Sequence, residues 1–185
     1  MKKYDTDKID NQIFISSNAS VGFLEDYEMF FSEIKDKEIK YLEIGILNGG
    51  SLMWAYDFFP NAKIYGVDIN PCNVDNDRIK TMICNQMDSE GLKKIGEEYG
   101  EFDIIIDDAS HLRRETENTF NCLWNYLKKG GWYVIEDWDC GFWLKQDLYL
   151  PSPILDIIPK KNELGIDQML IKNGNVNGKA YFKKL

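Results

Sequence analysis

The sequence predicts an α/β fold, a doubly wound and mostly parallel sheet that ends in an antiparallel hairpin. Short apolar, β-rich runs lack clean alternation, helical patterns at spacings of three and four lie between them, and the rhythm changes after Pro159. Runs without alternation suit strands covered by helices on both faces. Strand and helix taking turns then call for right-handed crossover units.

The elements follow in order along the chain. Phe23, Leu24, Tyr27, Phe30, Phe31 and Ile34 predict a first helix. Tyr41-Leu42-Glu43-Ile44 predicts the first strand of the sheet, and residues 52–59 the next helix. Lys63-Ile64-Tyr65-Gly66-Val67 and Thr81-Met82-Ile83-Cys84 read as strands, and residues 92–99 as a helix. Phe102-Asp103-Ile104-Ile105-Ile106 is a strand, Phe120, Leu123, Trp124 and Leu127 mark a helix, and Trp132-Tyr133-Val134-Ile135 is the next strand. Gln168-Met169-Leu170-Ile171-Lys172 and Lys179-Ala180-Tyr181-Phe182-Lys183 flank a turn-rich stretch at 173–178, which predicts the hairpin. No repeat or linker divides the 185 residues, so a single domain over 1–185 is expected.

Composition narrows the function. Hydrophobic residues make up 44% and aromatics 14%, enough to fill a core, which excludes disordered and fibrous classes. Against 22 Lys and Arg stand 31 Asp and Glu, a net charge of -9, so attraction to a phosphate backbone cannot drive binding and no nucleic-acid partner is expected. Cys72, Cys84, Cys122 and Cys140 form no CxxC pair and have no neighbouring His, as scattered reduced thiols do. The N-terminus lacks an apolar core behind its basic start, and no run approaches the ~18 apolar residues of a membrane span, so a cytoplasmic protein without a membrane partner is expected.

Ligands of such sheets bind beyond the carboxyl ends of the strands. The first strand runs into Gly45-Ile46-Leu47-Asn48-Gly49-Gly50-Ser51 and a helix, where glycines permit a tight turn and close approach. The next strand ends at Asp68, placed to accept hydrogen bonds from a ribose. A dinucleotide fingerprint would want Gly at Leu47, and the acid Glu43 lies beside the loop, so a cationic nucleoside such as S-adenosylmethionine suits the site better than NAD.

The fourth and fifth strand ends carry Asp107-Asp108-Ala109-Ser110-His111 and Glu136-Asp137-Trp138-Asp139, with Arg113 and Arg114 the nearest cations in sequence. Carboxylates crowded in this way call for a divalent cation, and hard oxygen donors favour Mg²⁺, Ca²⁺ or Mn²⁺. Asp108 or Ser110 could instead cap the following helix. His111, the single His of the chain, sits beside these acids and is the candidate general base. Trp138, Phe142, Trp143 and Tyr149 either wall an acceptor site or pack a lid.

On these residues the sequence resembles the class I S-adenosylmethionine-dependent methyltransferases, and within them the metal-dependent macrolide and rhamnosyl sugar O-methyltransferases. The resemblance spans roughly Tyr41 to Trp143 and rests on Glu43-x-Gly45-x-x-x-Gly49-Gly50-Ser51, Val67-Asp68, Asn85-Gln86-Met87-Asp88, Ile106-Asp107-Asp108-Ala109-Ser110-His111 and Gly130-Gly131-Trp132-Tyr133-Val134-Ile135-Glu136-Asp137. It implies the Rossmann-like seven-strand fold of that class. It also implies that Glu43, Gly45 and Ser51 border the methionine moiety, that Asp68 holds the ribose, and that Gln86, Met87 and Asp88 lie near the adenine. Gly49, Gly50 and Asp107 complete the cofactor set. Asp108, Glu136 and Asp137 would bind Mg²⁺ or another hard divalent cation, with His111 and Asp108 as the catalytic pair. Thr6-Asp7-Lys8 resembles an N-terminal element of the family, without the His and Tyr that usually follow, and segment 1–22 is expected to close over the site.

The implied activity is methyl transfer to a hydroxyl of a sugar or glycosylated small molecule, with a small-molecule or glycan acceptor as partner. A homo-oligomer is compatible with it. The alternatives are a nicotinamide-dependent oxidoreductase, a non-catalytic nucleoside- or metal-binding module, and a catechol-type methyltransferase.

Overall fold

The computed structural model describes residues 4–6, 8, 12–16 apart from the Ile15 side chain, 19–140, 154–174 and 178–185. Strands β3 (Lys40–Ile44), β4 (Lys63–Asp68), β5 (Ile79–Ile83), β6 (Phe102–Asp107), β7 (Leu127–Glu136), β8 (Ile166–Lys172) and β9 (Lys179–Lys184) form a seven-stranded sheet in the order β5-β4-β3-β6-β7-β9-β8. β3 to β7 are mutually parallel, and β9 runs antiparallel to both β7 and β8. The expected doubly wound sheet with its terminal hairpin is therefore present.

Side-chain alternation across the sheet divides two cores. On β6, Ile105 joins Leu42, Tyr133 and Ile135 on the face covered by α3 (Ser89–Tyr99) and α4 (Arg113–Leu123). Ile104 and Ile106 join Tyr41, Val134 and Tyr181 on the other face, beneath α1 (Phe23–Phe30) and α2 (Gly50–Phe58). All three isoleucines are fully buried, which explains the unbroken apolar run: each face has its own cover.

Several boundaries differ from the sequence reading. The helix expected to reach Ile34 stops at Phe30, and Ser32–Ile34 form a 3₁₀ turn. Leu127 opens β7 because a 3₁₀ turn at Trp124–Tyr126 ends the helical stretch before it. β7 reaches back past Gly130 and Gly131, which carry no side chain to mark a strand, and Leu127 pairs with Phe102 across an irregularity. β5 begins at Ile79, two residues earlier than the apolar run.

An antiparallel pair, β1 (Gln12–Ser16) and β2 (Ala19–Gly22), was not legible in segment 1–22. Its register is set from outside. The Phe14 amide donates to the Asn173 carbonyl at 2.8 Å, and Ile13, fully buried, bridges to Gly174. No helix among the described residues is long and apolar enough to cross a membrane, and all four cysteines are free thiols.

Candidate active site

The carboxyl ends of β3 to β7 open onto a cavity of about 440 Å³. Gly45, Ser51, Asp68, Gln86, Asp108, His111 and Asp137 of the predicted set border it. Its floor is apolar, built from Ile44, Val67 and Cys84. A cavity of this size, largely preformed, accommodates a nucleoside-sized ligand.

The glycine loop is held by close backbone packing. Gly45 has φ 87°, and a Cβ there would fall 2.3 Å from the Asp108 carbonyl oxygen. Gly49 adopts φ 78° just before α2, against Val74 and Cys72. Gly50 lies under Asp5, whose carbonyl oxygen would be 2.1 Å from an added Cβ. Gly49 and Gly50 thus serve chain packing and do not border the cavity. The Asp68 carboxylate accepts from the amides of Ile46 and Leu47, both at 3.0 Å, and from Asn70 at 2.9 Å. It fixes the loop to the second strand end while bordering the cavity.

The five strand-end carboxylates do not form one cluster, because neighbouring positions face different ways. Asp107 turns inward and accepts from Gln86 Nε2 at 2.9 Å and from the Tyr133 hydroxyl at 3.4 Å. Burial pushes its carboxyl up to about 8. Glu136 also points inward, accepting from Lys8 at 2.6 Å and Tyr27 at 2.7 Å. Asp139 accepts from the Gly178 amide at 2.9 Å. Asp108 and Asp137 remain at the cavity with His111, and ligand atoms of these three residues all lie within 4.8 Å of one another. His111 Nε2 is 3.5 Å from Asp137 Oδ2 and 4.0 Å from Asp108 Oδ1. The two carboxylates at this spacing suit a hard divalent cation, and the imidazole stands beside them.

Compensation comes from a residue remote in sequence. The expected cation Arg113 pairs with Glu117 and Asp156, whereas Lys8 Nζ lies 2.8 Å from Glu43, 2.9 Å from Asp108 and 2.6 Å from Glu136. Burial disfavours the Lys8 ammonium, but Asp108, Glu136 and Glu43 outweigh it and hold its pKa well above the usual value. Burial, then Glu136, pushes the Asp108 carboxyl well up. Glu43, wholly buried between Lys8 and the Tyr41 hydroxyl, does not border the cavity.

Other predicted residues support the walls. Gln86 is buried, donates to Asp107 and Thr119 and accepts from the Ser110 amide, so it ties the loop after β5 to the loop after β6. Asp88 caps α3 by accepting from the Gly91 amide at 2.9 Å, and Met87 is exposed; neither borders the cavity. Leu112, not Asp108 or Ser110, takes the cap position of α4. Trp138 packs against the core, while Phe142, Trp143 and Tyr149 lie outside the described residues.

Spacing could not reveal the cavity contacts of Asp5, Thr6 and Lys8, or the backbone of the site. Of the four described non-glycine residues with positive φ, Leu47 at 48°, His111 at 58° and Asp137 at 54° border the cavity, and Glu101 at 62° does not. Such conformations persist where the surroundings over-determine them, and they gather at functional sites.

A family described as "Methyltransferase domain" matches residues 42–138, just over half of the chain. Mycinamicin VI 2''-O-methyltransferase of Micromonospora griseorubida is 35% identical over 154 residues, covering 77% of this chain and 38% of that protein. Demethylmacrocin O-methyltransferase of Streptomyces fradiae is 38% identical over 130 residues, 65% of this chain and 33% of that protein. The solved structure of the MycE methyltransferase from the mycinamycin biosynthetic pathway, in complex with Mg, SAH and mycinamycin VI, matches with a TM-score of 0.77 at 29% identity. That match covers 88% of this chain and 49% of the other. The chain thus spans about a third to a half of the length of these relatives.

Proposed function

The chain belongs to the methyltransferase-domain family, and on that premise we propose that it is an S-adenosylmethionine-dependent, divalent-metal-assisted O-methyltransferase acting on a hydroxyl of a sugar or glycosylated small molecule. One observation carries the reading: Gly45 and Asp68 border the same nucleoside-sized cavity as Asp108, His111 and Asp137. The names of relatives such as mycinamicin VI 2''-O-methyltransferase and L-olivosyl-oleandolide 3-O-methyltransferase support the acceptor class.

Gly45, Ser51 and Asp68 would hold the cofactor, with Gln86 supporting the loop beside it. Asp108 and Asp137 would hold the metal; Glu136, which the sequence assigns to the same role, lies instead against Lys8 and Tyr27. Bound in such a site, S-adenosylmethionine supplies a methyl group activated by its sulfonium, and a divalent cation lowers the pKa of a coordinated hydroxyl. His111 takes the hydroxyl proton on Nε2, a nitrogen that faces both carboxylates. The strained backbone at His111 and Asp137 fixes both groups before the acceptor arrives, so little reorganisation is left for the reaction.

We read residues 1–185 as one domain working in the cytoplasm on a small-molecule or glycan acceptor. The test is incubation with methyl-labelled S-adenosylmethionine, Mg²⁺ and a panel of deoxysugar-bearing and glycan acceptors, followed by mass spectrometry. Label on a sugar oxygen is the expected result. No label on any acceptor, together with calorimetric binding of NAD and none of S-adenosylmethionine, would overturn the reading.

A further inference from the structure

The start of β9 clasps the loop that carries Asp137. Strands β7 and β9 pair as far as Glu136 opposite Lys179, and one residue further on the Asp137 amide donates to the Gly178 carbonyl at 2.8 Å. The Gly178 amide closes the clasp from the other side, donating to Asp139 Oδ1 at 2.9 Å, and both residues are buried. Between these two bonds the chain leaves the strand at Asp137, whose φ is 54°. The Cys140 amide then donates to the Asp137 carbonyl at 3.0 Å and completes the turn.

This turn decides where the Asp137 carboxylate points. Side chains alternate along a strand, so continuation of β7 would aim residue 137 to the side of Ile135, toward the core under α3 and α4. With the turn, the carboxylate borders the cavity and Oδ2 lies 3.5 Å from His111 Nε2. A left-handed backbone is sparsely populated and lasts where its surroundings over-determine it. Resting on the metal-assisted reading above, we propose that Asp139 is a positioning residue: by holding the Gly178 amide it keeps the Asp137 backbone in this conformation, and so keeps the Asp137 carboxylate in place for the ion it shares with Asp108. Asp139 acts as an acceptor for a backbone amide and not as a ligand, since it neither borders the cavity nor belongs to the donor set of Asp108, His111 and Asp137.

The clasp is tightly packed. A Cβ on Gly178 would fall 2.6 Å from the Lys172 carbonyl oxygen and 2.6 Å from Trp138 Nε1. Trp138 packs against the core, which resists any shift of the indole. Past the turn, the Cys140 thiol meets the His111 carbonyl at 3.8 Å, so the loop also touches the loop of the candidate base. Gly178→Ala therefore displaces the clasp without changing any charge at the site.

The experiment titrates metal-stripped protein with Mn²⁺, following free ion by electron paramagnetic resonance, for wild type, Asp139→Ala, Asp139→Asn and Gly178→Ala, and measures S-adenosylhomocysteine binding to the same preparations by calorimetry. Asp139→Ala and Gly178→Ala should weaken Mn²⁺ binding by at least about tenfold, the usual effect of losing a group that orients a ligand, with S-adenosylhomocysteine affinity within about threefold of wild type. Asp139→Asn keeps an oxygen acceptor for the Gly178 amide and should stay within about threefold of wild type for both. A loss smaller than about tenfold in Asp139→Ala, beside a wild type that binds Mn²⁺, overturns the role of Asp139 and leaves the metal-assisted reading standing. Asp139→Asn as weak as Asp139→Ala overturns it as well, because charge and not geometry would then be at work. An equal loss of Mn²⁺ and S-adenosylhomocysteine binding marks general loosening and overturns it too. A wild type that binds no Mn²⁺ removes the metal-assisted reading and this proposal with it. Should Asp139→Ala fail to fold, Gly178→Ala decides by the same criteria.

Discussion

Gly45 at the end of β3 and Asp108 beyond β6 approach so closely that a Cβ on the glycine would sit 2.3 Å from the Asp108 carbonyl oxygen. The cofactor loop and the loop of candidate catalytic residues are thus packed against each other through backbone alone. Gly45→Ala meets both this clash and the positive φ of 87°. It should cost on the order of 1–3 kcal/mol of stability. It should also weaken binding of S-adenosylhomocysteine, as measured by urea unfolding and calorimetry on the same preparation; wild-type values for both would show that the loops are not coupled.

Asp107 and Asp108 are neighbours in the chain with opposite tasks. Asp107 is buried, with Gln86 and Tyr133 donating to it, so Asp107→Ala leaves two interior donors without their acceptor. The expected loss is about 1–3 kcal/mol in equilibrium unfolding. Mn²⁺ affinity should change far less than in Asp108→Ala, which removes a member of the outer donor set.

Lys179 carries a pH dependence of stability that a single substitution isolates. Its Nζ is buried, lies 3.3 Å from the Tyr27 ring centroid, and donates to the Phe23 carbonyl at 2.6 Å and to Asp26 at 3.2 Å. Burial lowers its pKa from 10.5 to about 7. The unfolded chain therefore holds this proton between about 7 and 10.5 while the folded one releases it, so the contribution is full above 10.5 and is lost as pH falls through 7. Over pH 7 to 9, the melting temperature of wild type should rise relative to that of Lys179→Met. Parallel curves for the two proteins would contradict the assignment.

His111→Ala should lower turnover by about 10²–10⁴-fold, the usual worth of a positioned general base. Affinity for S-adenosylhomocysteine should stay within a few-fold, because the glycine loop is fixed by Asp68 and by backbone packing and not by the ring. Turnover near wild type at saturating Mg²⁺ would remove His111 from the chemistry, and selective retention of catechol turnover would indicate a different acceptor class.

The fold was legible where physics is local. Runs such as Ile104-Ile105-Ile106 announce a strand buried on both faces, and strand ends locate the ligand side of the sheet. Leu127 misled because its helical spacing from Leu123 and Trp124 holds even though a 3₁₀ turn intervenes. The β1–β2 pair escaped notice because it depends on Asn173 and Gly174 at the far end of the chain.

The site divides along the same line. Strand-end positions brought Asp68, Asp108, His111 and Asp137 to one cavity, as the motifs implied. Which way each acid faces was not readable, so Asp107 and Glu136 were counted with Asp108 although they turn inward. The Lys8 pairings with Glu43 and Glu136 span 35 and 128 positions, beyond any spacing rule. His and Asp are among the non-glycine residues that adopt positive φ most readily, but residue type does not say that His111 and Asp137 are the ones that do.

The most direct test of the central claim is methyl transfer from S-adenosylmethionine to a deoxysugar-bearing acceptor by chelator-treated protein, followed by mass spectrometry with and without restored Mg²⁺. Transfer that vanishes with the chelator and returns with Mg²⁺ in wild type, but does not return in Asp137→Ala, is the predicted result. Transfer indifferent to chelation would contradict it.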